Sequence, residues 1–202
     1  MGISNCISLI ILIVFSCSYV FKLVFLKRKN NITANVLAKG NKKFSIRRIE
    51  VLVRAASTLW LITWISEIIF NKQISLWIDY LFSSVYTTWA GIIVTALGAG
   101  VFIIAALSMK NSWRVGIDKS TKTTLITKGI YRFSRNPAFV GFNLMFIGLF
   151  VTYANLLTLF VTVINMLALH LLIIQEEKHL LTMFGDDYIR YKEKAPRYFG
   201  IF

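Results

Sequence analysis

The chain has 202 residues, of which 56% are apolar and 16% charged, and it carries a net charge of +14 from 23 Lys and Arg against 9 Asp and Glu. That apolar share excludes an ordinary soluble globule. The basic residues lie between long uncharged runs rather than across a polar surface, so the charge does not point to a nucleic-acid partner.

A spanning helix needs ~20 mostly apolar residues to cross ~30 Å of hydrocarbon, and five stretches meet that requirement. The first covers residues 7–26, with Cys6 and Cys17 at or inside it and Lys22 near its end, where a long side chain reaches headgroups. The two cysteines have no CxxC or metal-ligand spacing, so neither a disulfide framework nor a metal site is supported; both are expected as buried thiols. No basic region precedes this stretch and no small-residue site ends it, so it reads as a retained span rather than a cleaved signal. The second stretch, 49–70, holds Arg54 and Glu67 near opposite ends. The third lies in the uncharged run 80–109, whose first residues are expected at the interface. Its Thr95, Ala96, Gly98, Ala99 and Gly100 are small enough to let a neighbouring helix approach closely. The uncharged run 136–175 is about twice a bilayer at ~1.5 Å per residue, so it is expected to fold back as a helical hairpin turning at 152–155. The result is an all-α integral membrane bundle of about five transmembrane helices.

Orientation follows from Lys and Arg in short loops. Residues 27–48 hold Lys27, Arg28, Lys29, Lys39, Lys42, Lys43, Arg47 and Arg48 with no acid. Residues 110–135 and the tail beyond Gln175 are also rich in basic residues, whereas the opposite side has only Lys72. The N-terminus is therefore expected outside, and the C-terminus and the basic loops on the cytoplasmic face. These loops also suit contact with anionic lipids. The expected division is an N-terminal part, 1–110, with three spans and the basic loop 27–48, and a C-terminal part, 111–202, with the hairpin 137–175 and a cytoplasmic tail.

Two polar segments flank the hairpin. One contains Leu125-Ile126-Thr127, Gly129, Tyr131, Arg135-Asn136-Pro137, Phe139 and Gly141; the other contains Glu176-Glu177, Leu180, Phe184-Gly185, Tyr188, Tyr191 and Pro196. Because a hairpin returns to the face it left, the two should meet. Gly185 is expected to cap the helix before a short terminal one, and Asn136-Pro137 to cap and begin the fourth span. His170 is expected in a hydrogen bond between helices and His179 exposed. Tyr188 and Tyr191 suit interfacial anchors and substrate contacts equally.

In this ordered set the chain resembles the membrane methyltransferases related to isoprenylcysteine carboxyl methyltransferase and, more distantly, phosphatidylethanolamine N-methyltransferase. The likeness covers about residues 112–197. It implies a cytoplasm-facing pocket for S-adenosylmethionine in an all-helical fold, consistent with the lack of a GxGxxG run, and a lipophilic acceptor arriving from the bilayer. It implies cofactor contacts from Leu125, Ile126, Tyr131, Asn136, Pro137 and Glu176, a catalytic pair in Arg135 and Glu177, and acceptor contacts from Phe139, Tyr188 and Tyr191. The acceptors compatible with it are an isoprenylcysteine carboxylate, a lipid amine and a small thiol.

The residue types fit that chemistry independently. An acid pair can hold an ammonium, an Arg can pair with a carboxylate through two hydrogen bonds, and aromatic rings can stack on adenine or face a sulfonium. Asn136 stands where the family has His, and Asn cannot titrate near neutral pH, so binding rather than proton transfer is expected there. Two rival readings are an NADPH-dependent membrane reductase of the sterol reductase type and a non-enzymatic scaffold or transporter; an internal repeat that would favour a transporter is missing.

Overall fold

The computed structural model describes residues 2–118 and 123–199; Lys119 and Lys122 of the second basic segment lie outside them. The helices are α1 (Ile3–Asn30), α2 (Phe44–Ile74), α3 (Val85–Ser108), α4 (Pro137–Thr152), α5 (Leu156–Phe184) and α6 (Asp186–Lys194), with short 3-10 turns at Lys110–Ser112 and Gly129–Arg132. Among the described residues the only β pairing is two isolated bridges. The protein is an all-α, multi-pass membrane bundle: α1, α2, α3 and α5 are long and apolar enough to cross a bilayer, and α4 is a shorter apolar helix.

The hairpin turns where the hydropathy demanded. Asn155 starts α5 with a capping box, its side chain accepting from the Thr158 amide at 2.9 Å while the Thr158 hydroxyl accepts from the Asn155 amide at 3.2 Å. Ser84 and Thr87 form the same device at the start of α3, which leaves residues 80–84 outside the helix. The 16 residues of α4 span about 24 Å at ~1.5 Å per residue, less than the hydrocarbon core. Pro137, fixed at its first turn, ends the helix there. The preceding Ser134, Arg135 and Asn136 are thereby drawn into the bundle, with Ser134 and Asn136 buried.

α3 and α4 approach backbone to backbone. A Cβ on Gly98 would lie 2.6 Å from the Gly141 carbonyl oxygen, and one on Gly148 would lie 2.7 Å from that of Gly91. Of the small residues singled out in α3, Gly98 faces Gly141 and Thr95 faces Gly148, while Gly91, not singled out, pairs with Gly148 at the same seven-residue spacing; a Cβ on Gly100 would meet nothing within 4 Å. α5 is tied to α2 by Asn165, whose amide donates to the Ala56 carbonyl at 3.0 Å.

Polar loops gather at the two ends of the bundle. At one end the loop 31–43 pairs with the segment after α3: the Val36 amide donates to Val115 O at 3.0 Å and the Val115 amide to Ala34 O at 2.9 Å. At the other, the Leu81 amide donates to Ala154 O at 2.6 Å, and Asn155 donates to the buried Glu67 at 2.7 Å. Cys6 and Cys17 are exposed rather than buried. The expectation for them failed because the outward face of a spanning helix meets lipid, where a thiol has no reason to hide.

Candidate active site

The two segments flanking the hairpin meet through charge. α5, 29 residues long, continues past the end of α4 and carries Glu176, Glu177 and His179 to the level of the loop before α4. Glu177 sits inside a ring of donors. Arg135 reaches its Oε1 from Nε at 3.3 Å and from Nη2 at 3.1 Å, Asn136 Nδ2 reaches the same oxygen at 3.2 Å, and Arg197 reaches Oε1 from Nε at 3.1 Å and Oε2 from Nη2 at 2.9 Å. The other edge of the Arg135 guanidinium donates to Ala195 O at 2.5 Å, and its backbone amide donates to Pro196 O at 2.8 Å. A buried carboxylate between two guanidiniums is compensated, and removing one member strands the rest.

The tail enters this clasp because Gly185 breaks α5 with φ 51°, in the left-handed region that favours glycine, and α6 follows at once. This is the cap expected of Gly185. α6 buries Tyr188 and Tyr191 against Leu125, Leu180 and Phe184. The Tyr191 hydroxyl donates to Tyr131 O at 2.6 Å. Burial pushes the Tyr131 and Tyr191 hydroxyls well above their ordinary range, with Tyr191 and Glu176 adding to the effect at Tyr131 and Tyr188 at Tyr191. Burial first and Glu177 second push Tyr188 up to about 12. All three stay neutral at physiological pH.

Beside the clasp lies a cavity of about 580 Å³, within the range of small-molecule sites. Its polar end is formed by Leu125, Ile126, Tyr131, Asn136, Glu176 and His179, and its apolar end by an aromatic group that includes Phe15, Trp60, Phe102 and Phe142. These rings pack edge to face at 5.0–6.1 Å. The lining also includes Val20 of α1 and Leu61 of α2, which are 54% and 37% exposed. The cavity lining thus reaches residues of α1 and α2 that are exposed, on a surface rich in apolar side chains.

Of the residues singled out from the sequence, Leu125, Ile126, Tyr131, Arg135, Asn136, Phe139, Glu176 and Tyr191 line the cavity. Pro137, Glu177 and Tyr188 stand outside its lining. Asn136 is the N-cap residue of α4, but its side chain makes no capping hydrogen bond and crosses instead to Glu177 and to Arg197 O. His179 is half-buried rather than exposed and bonds to Asp118 O at 2.9 Å. His170 bonds to Tyr198 of the tail at 2.7 Å rather than to another helix.

Sequence reasoning missed Arg197, whose guanidinium completes the clasp, and the share of the first two helices in the cavity. It also missed Glu50 of α2. This fully buried carboxylate accepts from Lys42 Nζ at 2.7 and 2.8 Å, from the Ala38 amide at 2.7 Å and from the Ile117 amide at 2.8 Å. It thereby fastens the basic loop to the cavity wall. Its signal was there to read: a lone acid just after a run of basic residues, at the start of an apolar helix.

A family model described as phospholipid methyltransferase matches residues 86–187. The chain is similar to Protein-S-isoprenylcysteine O-methyltransferase of Xenopus laevis, 31% identical over 115 residues covering 54% of this chain and 40% of the relative. It is 34% identical over 73 residues to the protein of that name from Schizosaccharomyces pombe, covering 36% and 31%. With that of Rattus norvegicus it shares 26% identity over 135 residues, covering 61% and 48%. The chain thus spans less than half the length of each of these relatives.

Proposed function

The chain belongs to the phospholipid methyltransferase family, and on that premise we propose that it transfers a methyl group from S-adenosylmethionine to a lipid-borne acceptor at the cytoplasmic face of a membrane. The observation that carries this reading is a cavity whose lining joins a polar end, built from the two segments flanking the hairpin, to an aromatic end that reaches exposed residues of α1 and α2. A water-soluble donor suits the first and a lipid the second.

The residues present fit the donor. Glu176, whose carboxyl is pushed up to about 8 by burial first and by Glu50 second, offers its oxygens to an ammonium, whose positive charge favours the ionised form, Asn136 a neutral amide, and the 124–126 backbone and Tyr131 a wall for a nucleoside. When bound, S-adenosylmethionine supplies an electrophilic methyl group on sulfur. The chain supplies alignment and exclusion of water, which for well-oriented reactants reach effective molarities of roughly 10⁵–10⁸ M. The cavity-lining Tyr131 and Tyr191, held neutral, serve as hydrogen-bonding or packing surfaces rather than bases. Glu177 and Arg135 act by holding the tail against the loop before α4, a positioning role for the pair first read as catalytic. Their mutual ion pair at 3.1 Å, and the absence of Glu177 from the cavity lining, support that assignment. The cytoplasmic placement of the site rests on the basic residues gathered at its end of the bundle.

The test is to incubate membranes containing the protein with donor labelled in the methyl group and to identify the labelled product. Label in a lipid or lipid-modified cysteine is expected. Saturable binding of NADPH instead of the methyl donor would overturn the reading.

A further inference from the structure

The cavity's cations are not equivalent. Arg114 pairs with Asp118 at 3.2 Å, and Arg135 pairs with Glu177 at 3.1 Å. Arg54 also lines the cavity, yet among the described residues it makes no ion pair; its guanidinium donates to the Leu37 carbonyl oxygen. Glu50 lies one helical turn away but is saturated by Lys42 and two backbone amides. Gly116, with φ 87°, allows that arrangement, because a Cβ there would come within 3.0 Å of the Glu50 carboxylate and 2.8 Å of the Leu37 backbone.

The position of Arg54 is also unlike that of a topology signal. Arg47 and Arg48 stand in the first turns of α2, and Arg54 lies six residues beyond Arg48, ~9 Å deeper along the axis at ~1.5 Å per residue. Arg54 is exposed, and its guanidinium turns back along the cavity wall to the Leu37 carbonyl oxygen of the loop, the reach expected of a long cationic side chain. It stands on the α1–α2 side of the cavity, one turn from Leu61's neighbour Thr58, whose hydroxyl donates to Arg54 O at 2.9 Å. An incoming lipid would therefore pass an unneutralised planar cation just before it reaches the aromatic end.

We propose that Arg54 is the anchor for an anionic group, a carboxylate or a phosphate, carried by the lipid-borne acceptor. The proposal rests on the methyl-transfer reading above and adds the charge of the acceptor and the residue that selects it. The guanidinium pairs with two oxygens at once, while the apolar tail lies in the gap between α1 and α2. Carboxylate and phosphate share this chemistry, so the test must separate them.

The full chain in lipid nanodiscs is titrated while the fluorescence of Trp60 and Trp113, both in the cavity lining, is followed. The probes are N-acetyl-S-farnesylcysteine and its methyl ester, and dihexanoylphosphatidic acid and dihexanoylglycerol. In at least one pair the anionic member is expected to bind at least tenfold tighter. Arg54→Gln is expected to erase that preference while leaving the uncharged member's affinity unchanged, and Arg54→Lys to restore part of it. A preference in the first pair alone assigns the anion to a prenylcysteine carboxylate, and in the second alone to a phospholipid phosphate. Equal affinities within both pairs, or a preference that survives Arg54→Gln, overturn the proposal. A parallel calorimetric titration with S-adenosylmethionine judges the methyl-transfer reading separately, because the fluorescence result needs no turnover.

Discussion

The two ends of the bundle each bury a carboxylate of α2, Glu50 near its start and Glu67 near its end, and they treat it in opposite ways. At the cavity end Glu50 is surrounded by Lys42 and two backbone amides, and nearby Glu177 by two guanidiniums and an amide. At the far end Glu67 is fully buried with Asn155 as its recorded hydrogen-bond partner. Around it the locks are neutral: Trp64 donates to Ser8 at 2.8 Å, Asn5 to Ile68 O at 3.0 Å and Tyr153 to Asn5 at 3.1 Å. Full ion pairs are placed where a wall must be held around open space. Where helices simply close on each other, hydrogen bonds between neutral groups suffice.

The largest expected effect is at Glu50. Glu50→Ala strands buried Lys42 and two amides, and a loss of roughly 3 to 5 kcal/mol is expected, read as a large fall in the thermal midpoint of the detergent-purified protein. Next is Glu177→Gln, which leaves two guanidiniums facing a neutral amide; a loss of about 1.5 to 3 kcal/mol and a steep fall in methyl transfer are expected, measured by thermal unfolding and by label incorporation.

Asn136 sharpens the contrast between fastening and binding. Asn136→Ala is expected to weaken donor affinity about tenfold, the equivalent of ~1.4 kcal/mol, whereas Asn136→His, which keeps a ring N–H donor, is expected to stay active. Parallel titrations and turnover measurements on both variants check this, and an inert His variant would count against a binding role. The smallest effect belongs to the far end. Glu67→Gln keeps an oxygen for Asn155 and is expected to change stability by no more than about 1 kcal/mol, with methyl transfer unaltered. A Glu67→Gln variant as unstable as Glu50→Ala would erase the distinction between the two ends.

The hairpin, its turn and the meeting of residues 125–141 with 176–197 were legible because each rests on a local pattern: an uncharged run too long for one crossing, a capping residue, and acids where a helix leaves the membrane. Long-range pairings left no such trace. The bond between Val36 and Val115 joins two irregular segments nearly eighty residues apart, and nothing periodic announces it. Asn136-Pro137 read as a cap because local geometry favours it, but tertiary partners at Glu177 and Arg197 outbid the helix end for the same amide. The aromatic end of the cavity was hidden because Phe15 and Trp60 are indistinguishable in sequence from ordinary span-filling residues. Only the open space beside them gives them a second role.

The most direct test of the account is an equilibrium titration of the purified full chain in nanodiscs with S-adenosylmethionine, compared with the Glu176→Gln variant, since Glu176 is the acid at the polar end of the cavity. Saturable one-to-one binding, at least tenfold weaker in the variant while thermal stability is retained, is the predicted result. No saturable binding by the unaltered protein, or equal affinity in the two, would contradict it.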